Sequence, residues 1–279
     1  MIILADSGST KCNWLLVEGD RIRRIQSRGI NAALQSAETI GAILDESFPE
    51  RIDAVSLHFY GAGCGERYPH QSAQLRELLK QRFGTGRIEI ESDLTGAARA
   101  LAGNRPGIVC ILGTGSNSCC YDGRRIVANT PPLGWILGDE GSGAHLGRLL
   151  VGNLLKGIYG KELLQRFYEE ERLDYDTLIR RVYREPMGNR FLASFTRFIA
   201  RHPEHTELTE LVRGAFRSFV ERNLRNYPSD LGVSALGGVA FHFEEPLREV
   251  LAEYGYRTGK ITETPDEGLI QYHLWNRSK

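Results

Sequence analysis

Two short segments rich in glycine and hydroxyl side chains are the first candidates for chemistry in this sequence. Asp6-Ser7-Gly8-Ser9-Thr10-Lys11 follows an apolar run predicted to form a buried strand, and Gly113-Thr114-Gly115-Ser116-Asn117 follows another. The backbone N–H groups of such turns can converge on phosphate oxygens, because glycine places no Cβ in the way. Taken alone, each segment also fits an ordinary polar hairpin turn.

A metal ligand and an adenosine contact could accompany these loops. Asp6 would face a magnesium ion that bridges the phosphates, directly or through water; hydrogen bonding of Asp6 to its own backbone is the alternative. Ser234-Ala235-Leu236-Gly237-Gly238-Val239 ends a predicted strand in two glycines, which lets the backbone approach a flat group such as adenosine. On its own, this stretch is better explained as an ordinary strand-to-helix turn. No GxxxxGK[ST] motif occurs, so a P-loop enzyme is excluded.

Two further carboxylates lie where predicted helices begin. Asp93 closes Glu91-Ser92-Asp93 at the end of a strand, and the helix after it would keep the carboxylate ionised, as a general base requires. Aspartate is also a common N-cap, and the sequence alone favours that structural role. Asp139 and Glu140 open another helical pattern, so either could cap that helix.

The elements that must position these residues form two similar units. Three short strands open the chain, and helices and strands then alternate. A second strand, glycine-rich loop and strand follow, so we interpret 1–106 and 107–264 as two units, each with a mixed sheet flanked by helices. Helical patterns dominate 142–225, and a last helix in 265–279 is a candidate addition to the first unit. We expect the units to pack closely, with a cleft between them.

The thirty-five Lys and Arg residues balance thirty-five Asp and Glu residues, so the formal net charge is zero. We expect no nucleic-acid partner, because non-specific binding needs a basic face. No apolar stretch approaches the roughly 20 residues of a membrane span, and the early acid at Asp6 is not typical of a signal peptide. We therefore expect a soluble, cytoplasmic protein without a membrane partner.

Five cysteines without a CxxC pair argue against a disulfide framework or a zinc site. The seven histidines are better explained as surface or satisfied core residues.

In this order, the motifs resemble the N-acetylglucosamine kinase group, which includes the BadF/BadG/BcrA/BcrD ATPases, within the sugar kinase, heat-shock protein and actin superfamily. Residues 6–11 resemble its first phosphate motif, 113–117 its second, and 236–238 its adenosine motif. Gly138-Asp139-Glu140-Gly141-Ser142 is similar to the block that follows the first three strands of the second unit in these kinases. The resemblance implies an α/β fold of two ribonuclease H-like (actin-like ATPase) domains, the second carrying extra helices.

The same resemblance implies an ATP-dependent kinase that phosphorylates the 6-hydroxyl of N-acetylglucosamine, with Mg²⁺ and ATP in the inter-domain cleft. Asp93 becomes the general base, and Asp6 positions the magnesium ion. The implied ATP and phosphate ligands are Gly8, Ser9, Thr10, Lys11, Gly113, Thr114, Gly115, Gly237 and Gly238. The implied sugar ligands are Asn31, Ser116, Asn117, Gly134 and Asp139. The expected partner is a small amino sugar, and a homodimer is a family expectation.

The chain departs from the family pattern beside the sugar. Animal enzymes carry Gly-Trp-Gly where this chain has Pro132-Leu133-Gly134-Trp135, which leaves N-acetylglucosamine, glucosamine and N-acetylmuramic acid open. A BadF-type ATPase that activates a partner dehydratase is an alternative, but it needs paired cysteines for a bridging iron–sulfur cluster. Cys64 follows a glycine-rich loop, whereas Cys119-Cys120 lies inside a predicted strand and offers no second one. A nucleotide- or sugar-binding sensor without turnover is a third reading.

Overall fold

The computed structural model describes residues 1–8 and 10–275, and the chain divides into two compact units. Unit 1 comprises Met1–Gly103 together with the chain from Pro265 onward, and unit 2 comprises Asn104–Thr264. Among the described helices, none has the length and apolar character that crossing a bilayer demands.

The strands and helices are as follows in chain order. Residues 1–103 form β1 (Ile2–Ser7), β2 (Lys11–Glu18), β3 (Arg21–Arg28), α1 (Ala37–Ser47), β4 (Ser56–Gly61), α2 (Pro69–Phe83), β5 (Ile88–Ser92) and α3 (Asp93–Ala102). Residues 104–264 form β6 (Gly107–Leu112), β7 (Ser116–Tyr121), β8 (Ile126–Thr130), α4 (Gly134–Leu137), α5 (Gly143–Leu155), α6 (Gly160–Glu171), α7 (Tyr175–Tyr183), α8 (Gly188–Ser194), α9 (Thr196–Arg201), α10 (Thr206–Phe219), β9 (Val233–Leu236), α11 (Gly238–His242), α12 (Glu244–Glu253) and β10 (Thr258–Thr262). The chain then forms α13 (Asp266–Ile270), and π-helical turns extend α10 over Val220–Leu224 and α13 over Gln271–Trp275.

Both units contain a five-stranded mixed sheet with the same topology. The strand order is β3-β2-β1-β4-β5 in unit 1 and β8-β7-β6-β9-β10 in unit 2. In each, the first three strands form an antiparallel meander, and the first strand pairs in parallel with the fourth, which pairs in parallel with the fifth. The prediction of two similar mixed-sheet units is therefore confirmed.

The burial of each strand follows its position in the sheet. The central strand β1 is apolar, and Ile3, Leu4 and Ala5 are fully buried, as expected for a strand covered on both faces. The edge strand β3 carries arginines and is largely exposed. Charged side chains on an edge strand oppose pairing with another chain.

An aromatic cluster forms the centre of the unit 1 core. Trp14 lies 5.1 Å from Phe48, 5.8 Å from Phe59 and 5.6 Å from Phe83, measured between ring centroids. The indole N–H of Trp14 donates a hydrogen bond to Ser27 Oγ at 3.0 Å, so its polar atom is satisfied inside the core.

The helices inserted into unit 2 have an aromatic core of their own. Phe167 of α6 contacts Phe195 and Phe198 at ring-centroid distances of 4.9 and 5.2 Å, both edge-on. Phe191 of α8 contacts Phe195 at 4.9 Å. This cluster is continuous with the buried residues of the second sheet, so the extra helices are part of one unit.

The end of the chain packs on unit 1. A Cβ at Gly268 would overlap the Ala100 carbonyl oxygen, so glycine allows α13 to approach α3 closely. Beyond it, His273 Nε2 lies 2.6 Å from the Tyr60 hydroxyl. The part of 265–279 that follows Trp275 lies outside the described residues.

Local interactions set three boundaries. Helix α1 begins at Ala37, because Asn31 closes a turn before it and Ser36 caps the helix. Ser116 and Asn117, expected in a loop, form the start of β7 because they pair with Leu112 and Ile111. The turn after β9 becomes the short helix α11 immediately after Gly237.

Replacing Gly147 with alanine should destabilise unit 2, because a Cβ there would overlap the Leu192 carbonyl oxygen. Helix α5 would have to move away from α8, and we expect a loss of about 1–3 kcal/mol in the free energy of unfolding. Gly152 in the same helix is the matched control, because its Cβ would meet nothing within 4 Å. Gly152→Ala should instead gain up to about 1 kcal/mol through helix propensity. Urea denaturation measures both; equal stabilities would contradict this packing.

Candidate active site

The carboxyl edge of the first sheet collects three aspartates. Asp6 is the last residue but one of β1, and Asp93 directly follows β5 at the start of α3. The parallel register aligns Ser7, Gly61 and Ser92 across the three strands, so the ends of β1, β4 and β5 lie together. Asp266, the first residue of α13, joins them.

Burial and the charges of neighbouring carboxylates disfavour the charge on Asp6. Burial and the neighbouring charges of Asp93 and Asp266 raise the pKa of Asp6 to about 7, although Lys11 partly opposes them. Within residues 1–8 and 10–275, no hydrogen bond stabilises its carboxylate. Burial also raises the pKa of Asp266, with Arg24 at 3.7 Å as the opposing charge. The site therefore holds more negative charge than its surroundings neutralise.

The capping role that the sequence favoured for Asp93 belongs to Ser92. Ser92 Oγ accepts a hydrogen bond from the Thr95 N–H at 3.1 Å, and its extended backbone conformation is that of an N-cap. Asp93 is the next residue, and its Oδ1 accepts the Leu94 N–H at 2.8 Å. Burial raises the pKa of Asp93, while this backbone hydrogen bond opposes the shift. Ser92 is therefore the N-cap, and the capping interpretation of Asp93 is wrong.

The turn between β1 and β2 is a tight hairpin closed by a hydrogen bond from the Gly8 N–H to the Lys11 carbonyl at 3.1 Å. Gly8, Thr10 and Lys11 are exposed, whereas Ser9 lies outside the described residues. A Cβ at Gly8 would meet only ordinary contacts, the nearest at 3.8 Å, so the fold itself does not demand glycine there.

Asn31 lies close to this hairpin and shapes a turn of its own. Ser7 Oγ donates to the Ile30 carbonyl at 2.9 Å and accepts the Ile30 N–H at 2.8 Å, which ties the end of β1 to the residue before Asn31. Asn31 Oδ1 accepts the Ala33 N–H at 3.0 Å. This bond uses the amide oxygen, and the amide NH2 group is the part of the side chain able to donate to a ligand.

In unit 2, the N-terminus of α5 clamps the second glycine-rich loop. The Gly143 N–H donates to the Gly113 carbonyl at 2.8 Å, and the Ala144 N–H donates to the Thr114 carbonyl at 3.0 Å. The Gly113 N–H donates to the Gly115 carbonyl at 2.9 Å. Two of the loop carbonyls are therefore turned towards the helix.

Asp139 lies directly over this loop. Its Oδ1 accepts the Ser116 N–H at 3.4 Å, and a Cβ at Gly115 would lie only 2.9 Å from its Oδ2. The side chain is buried, and this desolvation raises the pKa of Asp139 to about 6, with the Ser116 N–H opposing and Glu140 adding to the shift. Ser142, and neither Asp139 nor Glu140, is the N-cap of α5.

The remaining candidates for contact with the sugar differ in their burial and in their hydrogen bonds within the protein. Ser116 is buried at the start of β7. Asn117 Oδ1 accepts hydrogen bonds from the Ser118 N–H and from Asn129 Nδ2, both at 2.9 Å, so its oxygen is engaged within the sheet. Gly134 is exposed in the first position of α4 and has a left-handed φ of 75°.

Gly237 brings the third element against the second loop. It has a φ of 121°, and a Cβ there would overlap the Leu112 carbonyl oxygen, so only glycine fits. Gly238 then begins α11. The end of β9 thus lies beside the end of β6, from which the loop at Gly113 starts.

A separate histidine cluster lies on the sheet of unit 1. His58 Nδ1 is 2.7 Å from Glu89 Oε2, and Arg99 donates to both Glu89 at 2.8 Å and the Tyr60 hydroxyl at 2.9 Å. Burial alone would raise the pKa of Glu89, but the hydrogen bond from His58 and the adjacent Arg99 lower it to about 2. His58, Glu89 and His273 are close enough to share a metal ion. Because Arg99 already neutralises Glu89, the cluster is better explained as a hydrogen-bond network that fixes the end of the chain.

Sequence reasoning missed Asp266 and the contact that His145 makes. Asp266 comes from a helix far along the chain, and no local pattern links it to Asp6. The expectation of a satisfied core histidine is confirmed for His145, which is buried and whose Nδ1 accepts the Gly141 N–H at 3.0 Å inside the turn that carries Asp139. Its place within an N-terminal helical turn after Ser142 is the one sequence signal that points to it.

Asp6→Asn should stabilise the ligand-free protein at pH 8. The folded pKa of Asp6 is raised, so its charge costs stability increasingly as pH rises above its ordinary value near 4, and the full cost is present above about 7. We expect a gain of up to about 4 kcal/mol at pH 8 and almost none at pH 4. Asp20→Asn, in an exposed turn, is the control and should change little. Thermal unfolding of the variant and the wild type at the two pH values checks this. If Asp6→Asn is no more stable than the wild type at pH 8, the Asp6 charge does not destabilise the fold.

A crystal structure of a protein from Porphyromonas gingivalis, provisionally named N-acetylglucosamine kinase, is similar to this chain. It is 43% identical, the match covers 99% of this chain and 100% of that one, and the TM-score is 0.92. A curated protein from Clostridium acetobutylicum, named N-acetylmuramic acid/N-acetylglucosamine kinase, is 31% identical over 186 residues, or 61% of this chain. The chain spans 59% of the length of that curated relative.

A more distant structure extends the likeness in fold. A ROK family glucokinase from Streptomyces griseus, in complex with glucose and AMPPNP, is 16% identical, with 100% of this chain and 99% of that chain covered and a TM-score of 0.57. No family model matches the sequence. The two repeated sheets and the inserted helices are those of the actin-like ATPase fold with two ribonuclease H-like domains. Since a relative 43% identical is matched over its whole length, the chain belongs to the N-acetylglucosamine kinase group of the sugar kinase, heat-shock protein and actin superfamily.

Proposed function

We propose that this protein is an ATP-dependent kinase that transfers a phosphoryl group to the 6-hydroxyl of an amino sugar, with N-acetylglucosamine as the first choice. The observation that carries the proposal is Asp93. It stands at the carboxyl edge of the first sheet near Asp6, and Ser92, not Asp93, is the N-cap of its helix. The names of the two relatives at 43% and 31% identity support the same activity.

Asp93 is the proposed general base. Phosphoryl transfer proceeds through a loose transition state, so the attacking hydroxyl gives up its proton late and a positioned carboxylate is sufficient. Burial raises the pKa of Asp93, which makes its carboxylate a better proton acceptor than an exposed aspartate. One oxygen is held by the Leu94 N–H, and this bond orients the group.

The excess negative charge around Asp6 fits a divalent cation. Carboxylate oxygens are the ligands that Mg²⁺ prefers, and burial together with the charges of Asp93 and Asp266 raises the cost of ionising Asp6 in its absence. When bound, the ion supplies neutralisation of the phosphate charges. Asp6 would hold it directly or through water, and its own ionisation would then be favoured rather than opposed.

The glycine-rich loops are the proposed phosphate ligands. In unit 1, Gly8, Ser9, Thr10 and Lys11 are the proposed ligands; the Gly8 N–H already donates to the Lys11 carbonyl, so the hydroxyls of Ser9 and Thr10 and the Lys11 ammonium group carry the proposed role. In unit 2, Gly113, Thr114 and Gly115 form the loop that α5 clamps, and Gly237 and Gly238 are the proposed adenosine contacts. Clamping lowers the entropy that the loop loses when it binds a ligand.

The proposed sugar ligands are centred on Asp139. Its buried carboxylate can accept hydrogen bonds from two hydroxyls of a sugar, with Asn31, Ser116, Asn117 and Gly134 as the further candidates. Leu133, before Gly134, is 63% exposed and offers an apolar surface to an N-acetyl or a larger substituent. Which amino sugar is preferred depends on this segment.

The partner-activating ATPase has no structural support of its own. All five cysteines are buried, and burial raises the pKa of Cys64 to about 12. Ligation of an iron–sulfur cluster requires accessible thiolates, so Cys64 is poorly suited to that role.

Asp93→Asn should strongly reduce sugar-dependent turnover while nucleotide binding persists. We expect kcat to fall by about 10²–10⁴-fold, because general base catalysis contributes on that order. The measurement is Mg²⁺-dependent ADP release with N-acetylglucosamine, glucosamine, N-acetylmuramic acid or no sugar. Ser92→Ala is the matched control: it removes the helix cap at a cost of about 1 kcal/mol in stability and should leave kcat within a few-fold. ADP release that needs no sugar and survives Asp93→Asn would overturn the kinase.

The KM for the sugar should rise as pH falls below about 6. Asp139 has a raised folded pKa, so it is ionised above about 6; below that value it loses its charge, and one carboxyl oxygen becomes a donor instead of an acceptor. Initial rates at pH 5–8 with saturating ATP would measure the effect, expected to approach about tenfold per pH unit at the acid end. Asp139→Asn should bind the sugar weakly at every pH and lack this dependence. An identical acid limb in both proteins would show that Asp139 is not the group responsible.

A further inference from the structure

We propose that His145 is a positioning residue for Asp139: its imidazole Nδ1 holds the Gly141 N–H and thereby fixes the turn that presents the Asp139 carboxylate. The inference rests on the proposed function in so far as Asp139 binds the sugar. His145 itself does not touch the substrate in this proposal. It acts through the turn formed by residues 138–142.

The turn has an unusual backbone that must be held in place. Asp139 has a φ of 55° and Gly141 a φ of 72°, both left-handed. An aspartate rarely adopts this conformation without support from its surroundings. The Asp139 N–H donates to the Pro132 carbonyl at 2.9 Å, and the Ser142 N–H donates to the Asp139 carbonyl at 3.1 Å. The third N–H of the turn, that of Gly141, donates to His145 Nδ1 at 3.0 Å.

His145 and Ser142 form a reciprocal cap at the start of α5. Ser142 Oγ accepts the His145 N–H at 3.1 Å, while the His145 ring reaches back to the Gly141 N–H. In a capping box, a glutamate or glutamine at this position accepts the N–H of the N-cap residue itself. Here the Ser142 N–H donates to the Asp139 carbonyl, and the imidazole accepts the N–H of the preceding residue instead. The His145 side chain is buried, with 8% of its surface exposed.

The hydrogen bond requires a neutral imidazole, because Nδ1 accepts only when the proton is on Nε2. Burial lowers the pKa of His145 to about 4, and Arg148 and Arg222 act in the same direction against Glu140. The ring therefore remains an acceptor at neutral pH. It becomes a donor, and repels the Gly141 N–H, only as the pH falls towards about 4.

The phosphate loop is held independently of His145. The Gly143 and Ala144 N–H groups clamp the Gly113 and Thr114 carbonyls through backbone bonds alone. Loss of the imidazole should therefore loosen the Asp139 turn more than the phosphate loop. The expected signature is a change in the KM for the sugar without one in the KM for ATP.

The test compares His145→Asn with His145→Leu. The Asn Oδ1 stands one bond beyond Cγ, as His Nδ1 does, and can accept the same N–H, whereas leucine fills similar space without an acceptor. We expect His145→Asn to resemble wild type, and His145→Leu to raise the KM for the sugar about tenfold with the KM for ATP within about twofold. Amide hydrogen exchange at Gly141 should accelerate in His145→Leu and not in His145→Asn.

The outcomes separate this inference from the kinase itself. If the wild-type protein shows no sugar-dependent turnover, the proposed function is wrong. Amide hydrogen exchange at Gly141 would still test the hydrogen bond to His145. Unchanged sugar KM in His145→Leu, or equal rises in both KM values, would overturn the positioning role. If His145→Leu does not fold, wild type and His145→Asn are compared between pH 5 and 4. Only wild type should then lose additional sugar affinity as the imidazole protonates; parallel loss in both would overturn the inference.

Discussion

The parallel pairing of the first and fourth strands in each sheet is the constraint on which both candidate sites depend. It brings the ends of β1, β4 and β5 to one edge of unit 1, and the ends of β6 and β9 to one edge of unit 2. Asp6, Asp93, Gly113 and Gly237 all lie at or just beyond those ends. Without these parallel ladders, residues that are far apart in the chain would not meet.

The two sites differ in whether their polar groups are compensated by neighbouring groups. In unit 1, Asp6 is crowded by Asp93 and Asp266, and the folded protein tolerates a carboxylate whose charge it disfavours. In unit 2, almost every polar group around Asp139 is engaged by a neighbour, from the Ser116 N–H to the Pro132 carbonyl. The first arrangement leaves a charge for a cation to neutralise. The second holds a buried carboxylate in a fixed orientation, which suits recognition of hydroxyl groups.

The sequence predicts much of this fold because its signals are local. Apolar runs with turn residues between them indicate the strands, and the repeated strand, glycine-rich loop and strand indicates two similar units. The sequence is a poorer guide where two adjacent residues could both serve as the helix cap. Asp93 fits an N-cap by type, but Ser92 takes that role in the structure, and Ser142 does so instead of Asp139 or Glu140. Ser, Asp and Asn cap with similar energies, so composition alone does not select among adjacent candidates.

What the sequence by itself determined is the succession of strands and helices along the chain, the two glycine-rich loops and the family they resemble, because each is carried by residues close together in the chain. The tertiary structure alone decided the contacts between distant residues. It placed Asp266 near Asp6, turned the His145 ring onto the Gly141 N–H, and pressed Gly237 against the Leu112 carbonyl. These contacts depend on packing distances and on left-handed backbone at single positions. Such features have no periodicity along the chain, so no local pattern could announce them.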